Sequence, residues 1–593
     1  MRLAGGRALV ALWCGLTLSC GAPRPLAPAT VPITPADETL ALAQPCALSN
    51  NVVSVVLSAN ETATLTLDGA GALLVNGQAC GAATQANTRR ITVSVQSPGD
   101  ATDETLIVDG TNGFFALGSS TGGGITIALG AGSDTVQLVG SANADALIAG
   151  RTATDDWVIV NQDLFKDVSM TGVEALTLSG GGGADVLSGS GLHPSWLRAS
   201  YYSSGLASQR ALTLEGGAGD DSLTGGEGAD VLRGGADADL IVGSPGADSA
   251  FGDAGDDTFD EGTSANGGDV FNGGTGADTV RYSSRAMAVM VTVGSGANDG
   301  DVSEGDDVRD DVEVVIGSAH ADTLTCSITA GCTLRGGAGD DTITGNAGAD
   351  SLEGEAGDDV LRPGGGADTV LGGAGTDTVT YSERTVAVTV SLGAPGVATT
   401  GNGASMEGDS LTDVENVEGG TGADTLTGNA LANRLVGGAG NDTLTGGDGD
   451  DVFDEGAMAN GADVLVGGAG FDRVDYSART TALTVSLDGA ANDGAASEGD
   501  DVEADVERVD GGNANDTLTG NADANELNGN GGDDTLSGLG GRDVLSGGPG
   551  NDTLAGGEGD DILEDIADGG ACDCGPGLDI AICPSPGDSC EVR

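Results

Sequence analysis

The chain has 593 residues, of which 107 are glycine and only 3% are aromatic. This composition leaves little material for large globular cores and favours internal repetition. The formal net charge of -69 at pH 7 predicts that nucleic acid and anionic lipid surfaces repel the chain, because affinity for phosphates comes chiefly from Lys and Arg. The acids are spaced regularly among Leu, Val and Ile, which argues against a disordered tail and favours bound cations.

Residues 1–19 predict an export signal. Two arginines precede an apolar run, Ala8 to Leu18, that is too short to span a bilayer. The next stretch, "LTLSC", ends at Cys20 and resembles the lipobox of bacterial lipoproteins, in which the cysteine is acylated. A lipid anchor at Cys20 and plain secretion both remain open, and the anchor is the only membrane contact expected. Residues 20–36 are predicted to be a Pro-rich tether.

The cysteines are typical of an oxidising compartment. Cys46 and Cys80 are expected to form one disulfide, and Cys326 and Cys332 another, with a free reactive pair as the alternative at Cys326 and Cys332. Near the C-terminus, four cysteines lie close together, which predicts local disulfides with three possible pairings. A zinc site formed by these cysteines is the alternative. That last group consists of Cys572, Cys574, Cys583 and Cys590.

Residues 37–210 carry a faint form of the later pattern, as in "GVEALTLSGGGGADVLSG" from Gly172. They are predicted to be strand-rich, either as a degenerate solenoid or as a small sandwich. A single G-x-S-x-G around Ser120 resembles the nucleophile elbow of lipases. Chance matches are expected in so glycine-rich a chain, so a hydrolase in this region is an alternative to a non-enzymatic function.

A nine-residue unit dominates the rest of the chain. "GGAGDDSLTGGEGADVLRGGADADLIVGSPGADSAFGDAGDDTFD", Gly216 to Asp260, contains five units with Asp at the sixth position and Leu, Ile, Ala or Phe at the eighth. Weaker in-frame units contribute Asp269, Asp322 and Asp463. The regular sixth-position residues are Asp221, Asp230, Asp239, Asp248, Asp257, Asp278, Asp341, Asp350, Asp359, Asp368, Asp377, Asp424, Asp442, Asp451, Asp472, Asp516, Asp534, Asp543, Asp552 and Asp561.

These units resemble the GGxGxDxUx nonapeptide of the RTX, or haemolysin-type, calcium-binding proteins. The resemblance implies an all-β fold, a parallel β-roll or β-solenoid, with each ion between neighbouring turns. It also implies that the regular sixth-position aspartates are calcium ligands. The residue types agree, since glycines permit tight turns and an "xUx" segment is a short strand with one inward apolar side chain. Two turns and two strands would then make one coil.

Stacked coils place carboxylates side by side, and this predicts that folding requires a cation. Two like charges about 4 Å apart repel by about 4 kcal/mol at an effective dielectric near 20. One Leu or Val in each unit contributes only about 1.5–3 kcal/mol. Calcium reverses the balance because it accepts six to eight oxygen ligands. Asn433 and Asn525 stand where Asp is expected and lack the charge, so those sites should be weaker or empty.

A longer repeat divides the units into blocks. Three related segments, such as "DTVTYSERTVAVTVSL" from Asp377, each lead to an acidic loop. Their Tyr-Ser-x-Arg motifs are expected to cover coil edges and neutralise nearby Asp, with a ligand site as the alternative, and the acidic loops are candidates for extra cations. The predicted RTX blocks are 211–283, 336–380, 419–475 and 511–564, the spacer modules are 284–335, 381–418 and 476–510, and a Cys-rich tail occupies 565–593.

The function expected from the sequence is that of an exported, non-enzymatic, calcium-binding protein. It would fold on calcium binding and have a structural or adhesive role at the bacterial cell surface, or outside the cell. The surface or matrix partner is unknown. The alternative is a hydrolase or a binding module in residues 37–210 that is carried on the roll.

Overall fold

The computed structural model describes residues 211–405, 407–565 and 570–583, together with strands and adjoining turns between residues 46 and 188. The predicted export signal and tether, and Ser120, lie outside the described residues. All the elements of the described part are β-strands, and no described helix has the length and apolar character needed to cross a bilayer. The prediction of an all-β fold is confirmed.

The strands are short and follow one another closely. The N-terminal strands are β1 (Cys46–Ser49), β2 (Val52–Leu57), β3 (Thr62–Leu67), β4 (Ala72–Val75), β5 (Gln78–Thr84), β6 (Arg90–Val95), β7 (Thr105–Asp109), β8 (Gly124–Ala128), β9 (Thr135–Val139), β10 (Ala146–Arg151), β11 (Asp156–Val160), β12 (Val168–Thr171), β13 (Ala175–Gly182) and β14 (Val186–Ser188). Next come β15 (Leu212–Ala218), β16 (Ser222–Thr224), β17 (Val231–Ala236), β18 (Leu240–Val242), β19 (Ser249–Ala254), β20 (Thr258–Asp260), β21 (Val270–Thr275), β22 (Thr279–Arg281), β23 (Met290–Val293), β24 (Asp307–Val308), β25 (Val314–Ile316) and β26 (Thr323–Cys326).

The remaining strands repeat the same alternation. They begin with β27 (Thr333–Ala338), β28 (Thr342–Thr344), β29 (Ser351–Ala356), β30 (Val360–Arg362), β31 (Thr369–Ala374), β32 (Thr378–Thr380), β33 (Val388–Ser391), β34 (Thr399–Ala404), β35 (Asp409–Thr412), β36 (Asn416–Glu418), β37 (Thr425–Thr427), β38 (Arg434–Val436), β39 (Thr443–Asp448) and β40 (Val452–Asp454). They end with β41 (Val464–Ala469), β42 (Arg473–Asp475), β43 (Leu483–Ser486), β44 (Gly494–Ala495), β45 (Asp501–Val502), β46 (Arg508–Asp510), β47 (Thr517–Thr519), β48 (Glu526–Asn528), β49 (Thr535–Gly540), β50 (Val544–Ser546), β51 (Thr553–Glu558), β52 (Ile562–Glu564), β53 (Ala571–Asp573) and β54 (Ile580–Ile582).

Successive strands alternate between two parallel ladders, which form the two faces of a roll. In the first face β16 pairs with β18, β18 with β20 and β20 with β22. In the second face β15 pairs with β17, β17 with β19 and β19 with β21. Leu223 lies opposite Ile241, and Leu214 lies opposite Leu232, so equivalent residues of successive coils are in register. The parallel β-roll predicted from the repeats is confirmed.

The core is a thin row of eighth-position side chains between the two faces. Leu223, Leu232 and Phe259 are fully buried, and the residues on either side of each point outward in part. Alternate residues of a strand point to opposite sides, so a three-residue strand contributes one core side chain. The core is therefore only one apolar side chain deep at each of these short strands.

The N-terminal strands continue the ladders. β3, β7, β9 and β13 pair in parallel in that order, and β13 pairs with β15. On the first face β10 pairs with β14, which pairs with β16. These strands therefore continue the parallel ladders of the roll, which favours the solenoid over a separate small sandwich, whereas β1, β4, β5 and β11 pair with their neighbours in antiparallel fashion.

The middle and last spacers insert antiparallel strands into one ladder, whereas the first spacer forms only isolated antiparallel bridges, Met290 with Gly300 and Asp299 with Asp306. β35 pairs with β31 before it, β33 pairs with β37 after it, and β34 joins β35 to β33 by antiparallel pairing on both sides. The last spacer repeats this with β43 and β44, and its bridge between Asp493 and Asp500 closes the hairpin. The opposite face runs on without interruption, since β32 pairs with β36 and β42 with β46. The spacers thus bring their acidic loops to the edge of the roll.

Three disulfides have both of their cysteines among the described residues. Cys46–Cys80 and Cys326–Cys332 are bonded as predicted. Near the C-terminus Cys572 bonds Cys583, which excludes zinc ligation by these two sulfurs. Cys574 is also disulfide-bonded, and Cys590 lies outside the described residues.

Candidate metal centre

The structure brings every predicted aspartate ligand into one of two rows, along the two edges of the roll. None of these side chains is more than 3% exposed. The first row, which precedes strands of the first face, consists of Asp221, Asp239, Asp257, Asp278, Asp350, Asp368, Asp424, Asp442, Asp516, Asp534 and Asp552. The second row, which precedes strands of the second face, consists of Asp230, Asp248, Asp341, Asp359, Asp377, Asp451, Asp472, Asp543 and Asp561.

One carboxylate oxygen of each row aspartate links two coils. Oδ1 accepts a hydrogen bond from a backbone N–H in the preceding coil, at 2.5–2.9 Å throughout both rows. For example, the amide of Asp221 donates to Oδ1 of Asp239. Such bonds to a charged acceptor are stronger than those between neutral groups. Half of each carboxylate is thereby committed to holding the coils together.

The other oxygen, Oδ2, is buried and in most of the row has no hydrogen-bond partner among the described residues. A buried, unpartnered carboxylate oxygen is costly unless something positive contacts it. There are four exceptions, in which Oδ2 accepts the backbone N–H four residues earlier at 2.5–2.7 Å. The exceptions are Asp230, Asp350, Asp424 and Asp516.

Glycine at the first position of the unit makes room for Oδ2. A Cβ on Gly216 would lie less than 3.0 Å from Oδ2 of Asp221 and from the carbonyl oxygen of Gly234 in the next coil. A carboxylate oxygen and a carbonyl oxygen therefore converge on the same small space. Gly217 and Gly219 complete the turn with φ of 117° and 114°, a conformation that favours glycine.

Burial raises the pKa of the row carboxyls. It raises the pKa of Asp239 to about 7, which the backbone N–H of Asp221 offsets in part and the neighbouring charges of Asp221 and Asp257 reinforce. For Asp248 the same dominant cause raises the pKa to about 8. Without a cation, carboxyls such as those of Asp239 and Asp248 therefore keep protons at pH values where ordinary aspartates have lost them.

These features fit a hard divalent cation. Aspartate carboxylates and backbone carbonyls are the ligands that Ca²⁺ prefers. The row aspartates would hold the ion through Oδ2, together with turn carbonyls such as that of Gly234, and the ion would supply the positive charge that Oδ2 lacks.

A family model of the RTX calcium-binding nonapeptide repeat (4 copies) matches the chain at residues 177–191, 213–241, 234–260, 263–281, 333–361, 350–379, 412–430, 428–456, 459–475, 510–545 and 528–563. The chain carries RTX-type repeats. Each predicted RTX block contains matches, and the match at 177–191 lies before the first block. A search of curated protein sequences finds no match to the chain.

Sequence reasoning missed several members of the RTX rows, which come from the spacer loops. Asp306 takes the next place in the second row, where its Oδ1 accepts the amide of Asp269 at 3.0 Å. The other two acidic loops supply Asp409 and Asp500 to the first row, where their Oδ1 atoms accept the amides of Asp368 and Asp463. Their shared "EGD" sequence was the available signal, but the spacing of 37 to 41 residues hid the alignment.

Three glutamates extend the rows on the opposite edge. Glu313 accepts a hydrogen bond from the amide of Asp278 at 3.0 Å. Glu415 and Glu507 make the same contact in the other two spacers, at 2.8–2.9 Å. In the coil after each of these glutamates, the equivalent position lacks aspartate. Cys332 follows Glu313, Asn433 follows Glu415, and Asn525 follows Glu507.

Two of the three non-aspartate positions are satisfied without a cation, whereas the Nδ2 of Asn525 has no hydrogen-bond partner among the described residues. The Nδ2 of Asn433 donates to the carbonyl oxygen of Glu415 at 2.7 Å. At Cys332 the disulfide to Cys326 takes the place of a carboxylate, so neither sulfur is free to ligate a metal. That these places bind calcium weakly or not at all stays a prediction.

The tyrosines and arginines of the Tyr-Ser-x-Arg motifs contact the acidic loops. Each tyrosine hydroxyl donates to Oδ2 of the loop aspartate at 2.9–3.0 Å. These pairs are Tyr282 with Asp306, Tyr381 with Asp409 and Tyr476 with Asp500. Each arginine pairs with the loop glutamate, as Arg479 does with Glu498 at 2.9 Å. The motif thus anchors the spacer to the end of an RTX block.

Proposed function

We propose that this is an exported, non-enzymatic protein whose roll folds when calcium binds and which has a structural or adhesive role at the bacterial cell surface. The observation that carries the proposal is the buried Oδ2 of the row aspartates, which has no hydrogen-bond partner along most of both rows. Calcium ions bound along the rows would satisfy these oxygens, so calcium binding and folding are coupled.

Export is supported by two features. The disulfides Cys46–Cys80 and Cys326–Cys332 require an oxidising compartment. The first nineteen residues have the composition of an export signal. Inside the cell, where calcium is scarce, the chain would stay unfolded, and it would fold once outside.

A structural or adhesive role is supported by the solenoid itself. Successive coils add length by stacking on their neighbours, and the chain carries a formal net charge of -69 at pH 7. So acidic a chain suits contact with other molecules through bridging cations. A Ser120-dependent esterase activity in the purified chain would contradict the non-enzymatic part of the proposal.

The test is far-UV circular dichroism of the full chain, titrated with calcium from a chelated start. We expect a cooperative change from coil to β signal at about 10⁻⁴–10⁻³ M calcium, the range of extracellular sites, with magnesium much weaker. The matched variants are Asp534→Asn, at a buried row position, and Asp533→Asn, at the exposed position beside it. The first should raise the calcium midpoint and the second should not.

A spectrum that is already β-rich in chelator and does not respond to calcium would contradict calcium-coupled folding. The surface role is tested separately in the producing bacterium. Mass spectrometry of the mature N-terminus distinguishes an acylated Cys20 from plain secretion, and protease treatment of intact cells shows whether the chain is exposed. A chain that is found only in the cytoplasm contradicts the proposal.

A further inference from the structure

Two groups of buried carboxylates lie where an RTX block meets the following spacer. In the first junction cluster, Glu261, Asp269 and Asp306 each present an oxygen, and these oxygens all lie within 4.8 Å of one another. The second junction cluster repeats the arrangement with Glu455, Asp463 and Asp500. The two clusters have identical residue types and come from equivalent places in the chain.

The glutamates are not part of the nonapeptide pattern. In a regular unit glycine follows the short strand, as Gly225 follows β16. At the junctions Glu261 follows β20 and Glu455 follows β40 instead. Each adds a carboxylate at a place where the regular roll has no side chain, so these sites differ in kind from the row sites.

An unpartnered oxygen points into each cluster. The side chains of Glu261 and Glu455 are 1% and 0% exposed, and Oε1 of each has no hydrogen-bond partner among the described residues. In the second cluster Oδ2 of Asp463 has none either, and the carboxylates of Glu455 and Asp463 lie within hydrogen-bonding reach. Two carboxylates can approach so closely only with a proton or a cation between them.

Arginine balances only part of this charge. Nη2 of Arg285 donates to Oε2 of Glu261 at 2.7 Å and to Oε1 of Glu304 at 2.5 Å. Asp269 and Asp306 add two further carboxylates to the same group. A single guanidinium against four buried carboxylates leaves an excess of negative charge, most of which one divalent cation would offset.

We propose that each junction cluster is a divalent-cation site in which a glutamate from outside the nonapeptide pattern joins two row aspartates, giving three carboxylate ligands. An all-oxygen, all-carboxylate set selects a hard cation, and calcium is the ion that the rest of the chain is built to bind. Affinity rises with the number of charged ligands, so the added glutamate carboxylate makes these two sites hold calcium more tightly than the row sites. They fix the spacer to the block before it.

The middle junction provides a natural control. Pro363 follows β30 at the place where the other junctions have glutamate, although Asp368 and Asp409 are still present. Arg384 and Glu407 pair at 3.0 Å, but each side chain is 17% exposed. This junction lacks the third carboxylate, and its arginine and glutamate are not fully buried. It should therefore not bind a cation tightly.

The test counts tightly bound calcium in the full chain. Protein refolded in calcium is dialysed against a weak chelator, and the retained calcium per chain is measured by mass spectrometry. We expect the double variant Glu261→Gln, Glu455→Gln to retain two ions fewer than the wild type. Glu407→Gln, at the middle junction, should retain the wild-type number. An unchanged count in the double variant overturns the proposal and means that protons, not a cation, join the carboxylates.

A second measurement needs no variant, in case the glutamine substitutions prevent folding. Crystals of the wild-type chain are soaked in terbium, which replaces calcium and scatters anomalously. Peaks between the three carboxylates of both clusters support the proposal, and their absence while row sites are occupied overturns it. The outcome is separable from that of calcium-coupled folding, because the dichroism titration follows the whole roll and the ion count follows two sites.

Discussion

The backbone N–H of Asp239 donates to Oδ1 of Asp257 at 2.8 Å, although the two residues are 18 positions apart. The carboxylate of Asp257 therefore has two roles. Its Oδ1 joins its own coil to the preceding coil, and its buried Oδ2 is left for a cation. Because this contact recurs along both rows, cation binding and coil stacking depend on the same side chains. Loss of either function at one aspartate is expected to weaken the other.

The first prediction concerns two glycines of one unit. Gly529→Ala should destabilise the calcium-loaded roll by about 1–3 kcal/mol, because the new Cβ would lie less than 3.0 Å from Oδ2 of Asp534 and from the carbonyl oxygen of Gly547. Gly531→Ala is the control, since its Cβ would be 3.7 Å from the nearest atom, in Asn513. Calcium midpoints by circular dichroism measure both. Equal midpoints for the two variants would contradict the role of the first glycine.

The second prediction concerns pH. Burial raises the folded-state pKa of Asp239, Asp341 and Asp534 to about 7, well above the ordinary value of 3.8. Between about pH 4 and 7 the calcium-free roll therefore binds more protons than the unfolded chain, so its free energy of unfolding falls as the pH rises through that window. In calcium-depleted buffer the β signal should be stronger at pH 5 than at pH 8. A calcium-free chain that is more ordered at pH 8 would disprove this.

The third prediction compares two arginines at equivalent junctions. Arg479 is fully buried and pairs with Glu498, whereas Arg384 is 17% exposed. Arg479→Leu should destabilise the roll by about 3–5 kcal/mol, because it leaves buried carboxylates without their cation. Arg384→Leu should cost clearly less, since water can reach Glu407. Chemical denaturation in calcium gives both values, and the expectation fails if the two losses are the same.

The fourth prediction concerns the asparagines in the rows. Asn433→Asp should destabilise the calcium-free chain, because the new carboxylate faces the carbonyl oxygen of Glu415 that Nδ2 now contacts at 2.7 Å. In calcium the variant should bind one more ion than the wild type. Asn525→Asp is the matched case, and its loss in chelator should be smaller because the Nδ2 of Asn525 has no hydrogen-bond partner to lose. Ion counting and thermal melting, each with and without calcium, test the pair.

Much of the candidate site was predictable because the repeat is local. Asp221 and Leu223 lie two positions apart in one unit, and the same unit recurs, so their places in the edge and the core follow from the period. The glycine at the first position is equally readable, because the turn and the close approach of Oδ2 both exclude a side chain there. The disulfides Cys46–Cys80 and Cys326–Cys332 followed from close grouping.

Other parts were not readable from the pattern. Asp306 joins the second row from a loop 37 residues after Asp269, so no fixed period marks it. The alternation in strands such as β3 suits a sandwich and a solenoid alike, and only the parallel pairing of β3 with β7 separates the two.

By itself, the sequence determined the local chemistry: which residues turn, which enter the core and which carry the carboxylates. It could do so because each of these choices is made within nine residues. Only the tertiary structure decided which carboxylates stand together at the junctions, as Glu261 does with Asp306, because loop closure across a spacer depends on long-range strand pairing. Burial, which decides whether such a group needs a cation, is likewise a property of the stacked coils and not of any single unit.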